Sequence, residues 1–116
     1  MLKLYGIRSC DTCRKARKWL DRHGIEHEYH DLRDDGVEER VLVRWTGRMD
    51  WQKFVNKRSL TWRRIPEVDR ESLDRKRAIA MLLEHPTLIK RPVLDSKELI
   101  AVGFSPDNYR KMFDSL

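Results

Sequence analysis

Two cysteines, Cys10 and Cys13, lie between an apolar segment at residues 2–7 and a stretch in which apolar residues recur every three or four positions. The first segment predicts a short buried strand and the second a helix. In a Cys-X-X-Cys pair at the start of a helix, the second thiol lies one turn away and can close a disulfide with the first. The spacing therefore predicts a redox pair, and we take Cys10 and Cys13 as candidate catalytic residues.

The expected position of Cys10 at a helix N-terminus favours its thiolate form. Unpaired backbone N–H groups and the helix dipole attract negative charge there. Several basic side chains are close in sequence, while Asp11 acts in the opposite direction; the basic residues are Arg8, Arg14, Lys15 and Arg17. We expect the pKa of Cys10 to lie below the usual value for a cysteine.

Two other interpretations of the cysteines are open at this stage. The thiols can serve packing alone, or they can bind zinc together with His27 and His30, which follow Cys13 after thirteen residues. A zinc finger needs three to five residues between its histidines, whereas only two separate this pair. The histidines also fall in a strand-like segment on opposite faces. We therefore predict no metal site.

Length and composition predict a single globular domain over residues 1–116, which we expect to be monomeric. Hydrophobic residues make up 40% of the chain and charged residues 38%. The longest charge-free run, 99–106, is too short to cross a bilayer, and the N-terminal segment lacks an apolar signal region. We expect a cytoplasmic protein, and in that reducing compartment a cysteine pair is catalytic or sensing more often than structural.

The net charge of +6 raises the question of nucleic-acid binding. Basic pairs occur at 57–58, 63–64 and 90–91, a basic triplet occurs at 75–77, and Trp62 adjoins one of these clusters. Most of these residues alternate with acidic ones, a pattern typical of the solvated face of a helix. We do not expect direct binding to nucleic acid.

The order of predicted elements indicates an α/β protein. The helix from Asp11 should end at Gly24, and a second strand should follow at 25–32 before a turn at 33–36. The crossover rule makes the two strands parallel neighbours, with the cysteines at the carboxyl end of the first strand.

Helical periodicity governs residues 37–85, which we interpret as a helical insertion. We expect a helix stopped by Gly47, a short helix capped by Asp50, a turn capped by Thr61 and a longer helix at about 71–84. A hairpin of 92–94 with 99–102 and a helix starting at Ser105 should complete the chain. The order βαβ, helical insertion, ββα is that of a thioredoxin-like fold.

Four short stretches carry a resemblance to a known family. They are Cys-Asp-Thr-Cys after Tyr5-Gly6, residues 56–63 (NKRSLTWR), 89–92 (IKRP) and 102–105 (VGFS). Together they resemble the arsenate reductase (ArsC)/Spx family over essentially the whole chain, and most closely its YffB-like branch. The resemblance implies that Cys10 is the nucleophile, that Pro92 is a structural cis-proline and that Arg91 faces Cys10 and binds an anion.

The resemblance also sets limits. Arsenate reductases use two further arginines, and the matching positions hold Asn56, with Arg58 close by, and a residue near Phe104. They also lack the second cysteine, whereas Spx regulators have both and use them as a switch while bound to the RNA polymerase α subunit. Arg14, Arg58 and Thr12 join Arg91 as candidate substrate- or anion-binding residues.

The sequence therefore favours a small thiol-dependent reductase. In this interpretation Cys10 attacks an oxidised or anionic small substrate and Cys13 resolves the intermediate. We expect no bound cofactor, and we expect glutathione or a thioredoxin- or glutaredoxin-type protein as the reductant. An Spx-like regulator that binds the RNA polymerase α subunit is the first alternative, and an arsenate reductase is the second.

Overall fold

A computed structural model of the chain describes residues 2–115, and its contacts divide the chain into two compact units. The first unit contains the two ends of the chain, up to Asp31 and from Arg91 onward, and the second spans Leu32–Lys90. The helical insertion predicted at 37–85 lies inside the second unit. Its place within a single domain stays a prediction.

The secondary structure combines a four-stranded sheet with seven α-helices and two short 3₁₀-helices in the described part of the chain. In chain order the elements are β1 (Lys3–Gly6), α1 (Asp11–Arg22), β2 (Glu28–Asp31), α2 (Leu32–Asp35), α3 (Glu39–Arg48), a 3₁₀-helix (Trp51–Phe54), α4 (Leu60–Arg64), α5 (Glu67–Glu71), α6 (Arg75–Glu84), a second 3₁₀-helix (Pro86–Leu88), β3 (Val93–Asp95), β4 (Ile100–Val102) and α7 (Pro106–Asp114).

All four strands belong to the first unit, in the order β2-β1-β3-β4. Strand β1 pairs in parallel with β2 and antiparallel with β3, and β3 pairs antiparallel with β4. The predicted parallel βαβ unit and the C-terminal hairpin are therefore confirmed. The whole is the thioredoxin-like arrangement that the element order predicts.

The core of the first unit forms where helices α1 and α7 pack on the sheet. Helix α1 places Ala16, Trp19 and Leu20 in a cluster with Leu4 of β1. The ring of Tyr109, from α7, meets the Trp19 ring edge-on at 5.5 Å. Burial of these aromatic rings fixes α1, and with it the cysteine pair at its start, against the sheet.

Local predictions for the first unit are mostly confirmed. Gly24 follows α1 with φ +65°, the left-handed conformation expected of a helix-ending glycine. Ser105 caps α7, since its Oγ accepts a hydrogen bond from the backbone N–H of Asn108 at 3.1 Å. Pro106 takes the first helical position, where its missing N–H costs nothing.

The second unit is helical, as predicted, but several boundaries differ. Residues 33–36 are expected in a turn, but 33–35 belong to the one-turn helix α2. Within this segment only Gly36 has a positive φ. Helix α3 does not stop at Gly47 but runs through it, because the backbone hydrogen bonds continue to Met49, whose N–H donates to Trp45. Glycine weakens a helix without breaking its hydrogen bonds, which explains the error.

Two further corrections concern caps. Ser59, not Thr61, caps α4, with its Oγ accepting from the backbone N–H of Trp62 at 3.1 Å. The long helix predicted at about 71–84 ends where expected but begins later, at Arg75, because Asp74 caps α6 by accepting from the backbone N–H of Arg77 at 2.8 Å. The capping side chain of Asp74 interrupts the helical periodicity that the apolar residues suggested.

Candidate active site

Cys10 sits at the N-cap of α1, on the turn that leaves β1. Its backbone is extended, its N–H donates to the carbonyl of Ile7, and its own carbonyl accepts from the N–H of Arg14, both at 3.0 Å. The thiol of Cys10 is half-buried, whereas Cys13, one turn on, is fully buried. Both cysteines are free thiols in this structure.

The environment of Cys10 favours its thiolate. Burial raises the pKa of Cys10, but donors around the sulfur outweigh that effect and hold the pKa below its ordinary value. The backbone N–H and the thiol of Cys13 both donate to the Cys10 sulfur, and the Arg91 guanidinium adds a hydrogen bond and its charge. A lowered pKa increases the fraction of a cysteine that is thiolate near neutral pH.

Cys13 has the opposite character. The pKa of Cys13 is raised to about 12, chiefly by burial. The neighbouring Cys10 also raises the pKa of Cys13, while the Ile7 backbone and Arg91 lower it. The two thiols thus differ in acidity: Cys10 ionises at a lower pH than Cys13, and Cys13 keeps its proton while Cys10 is a thiolate.

The Arg91–Pro92 peptide bond is cis, as the resemblance implies. The carbonyl of Pro92 accepts from the N–H of Gly103 at 2.8 Å, which ties this loop to the end of β4. Arg91 therefore projects from an anchored segment next to Cys10. The structure brings together three of the residues singled out from the sequence: Cys10, Cys13 and Arg91.

The other candidate anion-binding residues are exposed. Arg14 is exposed and forms an ion pair with Asp11 on the same turn of α1, and Thr12 is exposed beside it. Arg58 belongs to the second unit, where it is exposed and its backbone N–H donates to the side-chain oxygen of Asn56 at 3.1 Å.

Two residues near Cys13 were not singled out from the sequence. A Cβ atom on Gly6 would lie 2.7 Å from Cys13 Sγ and 2.9 Å from the hydroxyl oxygen of Tyr29, so the glycine leaves room for both groups. The Tyr29 hydroxyl is buried without a hydrogen-bond partner. A glycine inside a strand often marks such a close approach, and this was the available signal.

Within 2–115, no three His, Cys, Asp or Glu side chains lie close enough together to hold a metal ion. The same part of the chain contains no helix with the length and apolar character needed to span a bilayer.

The chain has the thioredoxin-like fold: a parallel βαβ unit is joined to an antiparallel hairpin and a final helix. A Cys-X-X-Cys dithiol lies at the start of the first helix, with a cis-proline beside it. Fold and site together define a redox-type protein of this fold. Within that class, the ArsC family model matches residues 5–112. The chain belongs to the ArsC family.

Individual relatives agree along nearly the full length. An uncharacterised protein of Haemophilus influenzae is 46% identical over 97% of this chain and 99% of its own. The solved structure of a protein called YFFB (PA3664) is 40% identical, covers 96% of this chain and 97% of its own, and superposes with a TM-score of 0.90. The global transcriptional regulator Spx of Listeria innocua is 28% identical over 96% of this chain and 86% of its own.

Proposed function

We propose that the protein is a small thiol reductase in which Cys10 is the nucleophile. The observation that carries this proposal is the arrangement of Cys13 and Arg91 around the Cys10 sulfur, which holds its pKa below the ordinary value. A nucleophile prepared in this way is what thiol–disulfide exchange requires. Membership in the ArsC family supports an oxidoreductase in broad terms.

The proposed cycle has two exchange steps. The Cys10 thiolate attacks one sulfur of an oxidised substrate R–S–S–R, forms a mixed disulfide and expels one R–S⁻. Cys13 then attacks the Cys10 sulfur, forms the Cys10–Cys13 disulfide and releases the second thiol. Two electrons have then passed from the protein to the substrate, and glutathione or a thioredoxin- or glutaredoxin-type protein returns them. The cycle belongs in the cytoplasm, where both reductants are kept reduced.

Arg91 is proposed to bind an anionic group of the substrate. Its planar guanidinium can hold a carboxylate or oxyanion through two parallel hydrogen bonds, which a lysine cannot do. We further propose that the same anionic group is bound by Arg14, Arg58 and Thr12. Because the Arg14–Asp11 pair is exposed, it contributes little stability, and Arg14 can leave Asp11 at small cost.

Turnover of a small disulfide tests this function directly. We expect the wild-type protein to reduce hydroxyethyl disulfide catalytically with glutathione or with a thioredoxin system. Cys10→Ser should abolish this activity, and Cys13→Ser should slow resolution or transfer it to external glutathione. Oxidation of one protein equivalent without further turnover, under both reductants, would contradict the proposal. Arsenate belongs in the same screen, where we expect poor activity because the two further arginines of arsenate reductases are not matched.

An Spx-like regulator is the second candidate, favoured by one observation: curated relatives named global transcriptional regulator Spx align with 96% of the chain. A regulator needs only a stable disulfide that changes a binding surface. The discriminating experiment measures binding of the reduced and oxidised protein to the RNA polymerase α subunit. We expect no tight binding in either state, and redox-dependent binding without turnover would move the assignment to the regulator.

A further inference from the structure

The buried side of Cys13 is occupied by Gly6 of β1 and Tyr29 of β2. Cys13 Sγ and the Tyr29 hydroxyl oxygen lie 2.7 and 2.9 Å from the single point where a Gly6 Cβ would stand. The two atoms are therefore separated by no more than the sum of these distances. Only the absence of a side chain at Gly6 allows this approach.

The Tyr29 hydroxyl has unused hydrogen-bonding capacity. It is buried and makes no hydrogen bond in the reduced protein, although buried hydroxyls are normally paired. Its ring contacts the Arg17 guanidinium, which lies 4.1 Å from the ring centroid. The Tyr29 hydroxyl is therefore a hydrogen-bond donor that has no acceptor in the reduced protein. If the nearby Cys13 thiol ionises, the thiolate can accept that hydrogen bond.

The proposed reaction cycle makes Cys13 ionise. In the reduced protein the Cys13 thiol donates to the Cys10 thiolate, but that acceptor disappears when Cys10 enters a mixed disulfide. Cys13 must then act as a thiolate while it is still buried. Of its neighbours, the Ile7 backbone and Arg91 favour the charged form. An additional donor would lower the free-energy cost of charging the buried thiol.

We propose that the Tyr29 hydroxyl donates a hydrogen bond to the Cys13 thiolate and thereby speeds resolution of the mixed disulfide. This inference rests on the reductase cycle proposed above and adds a residue to it. The step balances as Cys10–S–S–R plus Cys13–SH giving the Cys10–Cys13 disulfide plus R–SH. The S–S bond to R breaks, the new S–S bond forms, and the Cys13 proton reaches the departing thiolate through solvent.

Tyr29 acts as a donor and not as a base in this step. Burial raises the pKa of Tyr29 to about 12, and nearby Cys13, Asp31 and Cys10 raise it while Arg17 lowers it, so the phenol keeps its proton at neutral pH. Four titratable or charged side chains interact electrostatically with Cys13: Cys10, Arg91, Tyr29 and, from α7, Tyr109. Tyr109 also has a buried hydroxyl without a partner, and it serves as the control.

The direct test titrates Cys13 in the Cys10→Ser protein, where Cys13 is the only thiol. Isotope labelling of the cysteine Cβ allows its NMR shift to report ionisation without a reagent having to reach the buried sulfur. Adding Tyr29→Phe should raise the pKa of Cys13 by about one unit, the effect of losing one hydrogen bond to a charged group. Tyr109→Phe should shift the pKa of Cys13 much less.

A kinetic test follows the same group in the otherwise wild-type chain. With a mixed disulfide on Cys10, Tyr29→Phe should slow release of the thiol about tenfold at neutral pH and move the midpoint of its pH profile upward. Near-UV circular dichroism shows whether each variant keeps its packing. An unchanged Cys13 titration in Tyr29→Phe, or an equal shift in Tyr109→Phe, would overturn the inference.

The two experiments separate this inference from the function on which it rests. If Tyr29→Phe moves the titration of Cys13 but no disulfide is ever turned over, the hydrogen bond is supported and the reductase assignment fails. If turnover is normal and both readouts ignore Tyr29→Phe, the reductase assignment stands and Tyr29 has no part in it.

Discussion

The buried carboxylate of Asp31, at the end of β2, accepts a hydrogen bond from the backbone N–H of Arg8 at 2.9 Å. The Arg8 side chain adds an ion pair at 4.0 Å from the same oxygen. Arg8 lies on the short turn between β1 and Cys10, so this contact joins the reactive turn to the neighbouring strand. The position of Cys10 thus depends on a residue that is far from it in sequence.

Asp31→Ala should therefore destabilise the protein and loosen the reactive turn. Loss of a hydrogen bond to a charged, buried group costs about 1.5 to 3 kcal/mol. Asp31→Asn keeps an acceptor oxygen at the same place and should cost less. Urea unfolding measures both variants, and the rate of Cys10 alkylation reports the turn. Equal unfolding free energies for wild type and Asp31→Ala would show that the Arg8–Asp31 hydrogen bond does not stabilise the protein.

A second prediction concerns Gly6, whose added Cβ would overlap Cys13 Sγ and the Tyr29 hydroxyl. Because Cys13 is fully buried and packed, Gly6→Ala should cost about 1 to 3 kcal/mol, the usual range for overpacking. The unfolding free energy measures this cost. Cys13→Ala removes the closer of the two atoms, so Gly6→Ala should cost clearly less in that background. The same cost in both backgrounds would mean that the strain lies elsewhere.

How much of this site the sequence predicts depends on how far apart its parts lie in the chain. Cys10 and Cys13 belong to one helix start, so local rules place them and assign the lower pKa to Cys10. Arg91 is distant in sequence, and only the family resemblance singled it out among 25 basic residues. Its contact with Cys10 depends on how β3 pairs with β1, which local patterns do not specify.

Tyr29 shows a different limit. Whether Tyr29 faces α1 depends on the register between β1 and β2, in which Leu4 pairs with Tyr29 and Gly6 with Asp31. The apolar alternation over 25–32 is imperfect, so the sequence does not assign its faces. The starts of two helices in the second unit were predicted wrongly for a related reason. Caps such as Ser59 and Asp74 compete with other polar residues nearby, and packing decides between them.

Arg91→Lys is expected to weaken substrate capture without unfolding the domain. Lysine keeps the positive charge but loses the planar pair of donors, which should cost about 1 to 3 kcal/mol of binding. Weaker binding should raise the KM for an anionic disulfide and should raise the KM for a neutral disulfide less. Arg22→Lys, at the exposed end of α1, is the matched control. If Arg91→Lys leaves both substrates unaffected, Arg91 does not bind the anion.

The last prediction follows from the raised pKa of Cys13. An unfolded cysteine ionises near pH ~8.5, whereas burial in the native protein raises the pKa of Cys13 to about 12. Between these values the native state binds a proton that the unfolded state has lost. The contribution of Cys13 to stability is therefore fully present below pH ~8.5 and is lost as the pH rises toward the native value.

The expected loss is about 1.4 kcal/mol for each pH unit above ~8.5. Cys10 acts with the opposite sign, because its lowered pKa stabilises the native protein above the unfolded value and that contribution is lost as the pH falls. Urea unfolding of wild type and Cys13→Ala at a series of alkaline pH values isolates the buried thiol. Wild type should lose stability more steeply than Cys13→Ala as the pH rises. Parallel curves would show that Cys13 ionises in the native protein as readily as in the unfolded chain, and the division of roles between the two thiols would then be wrong.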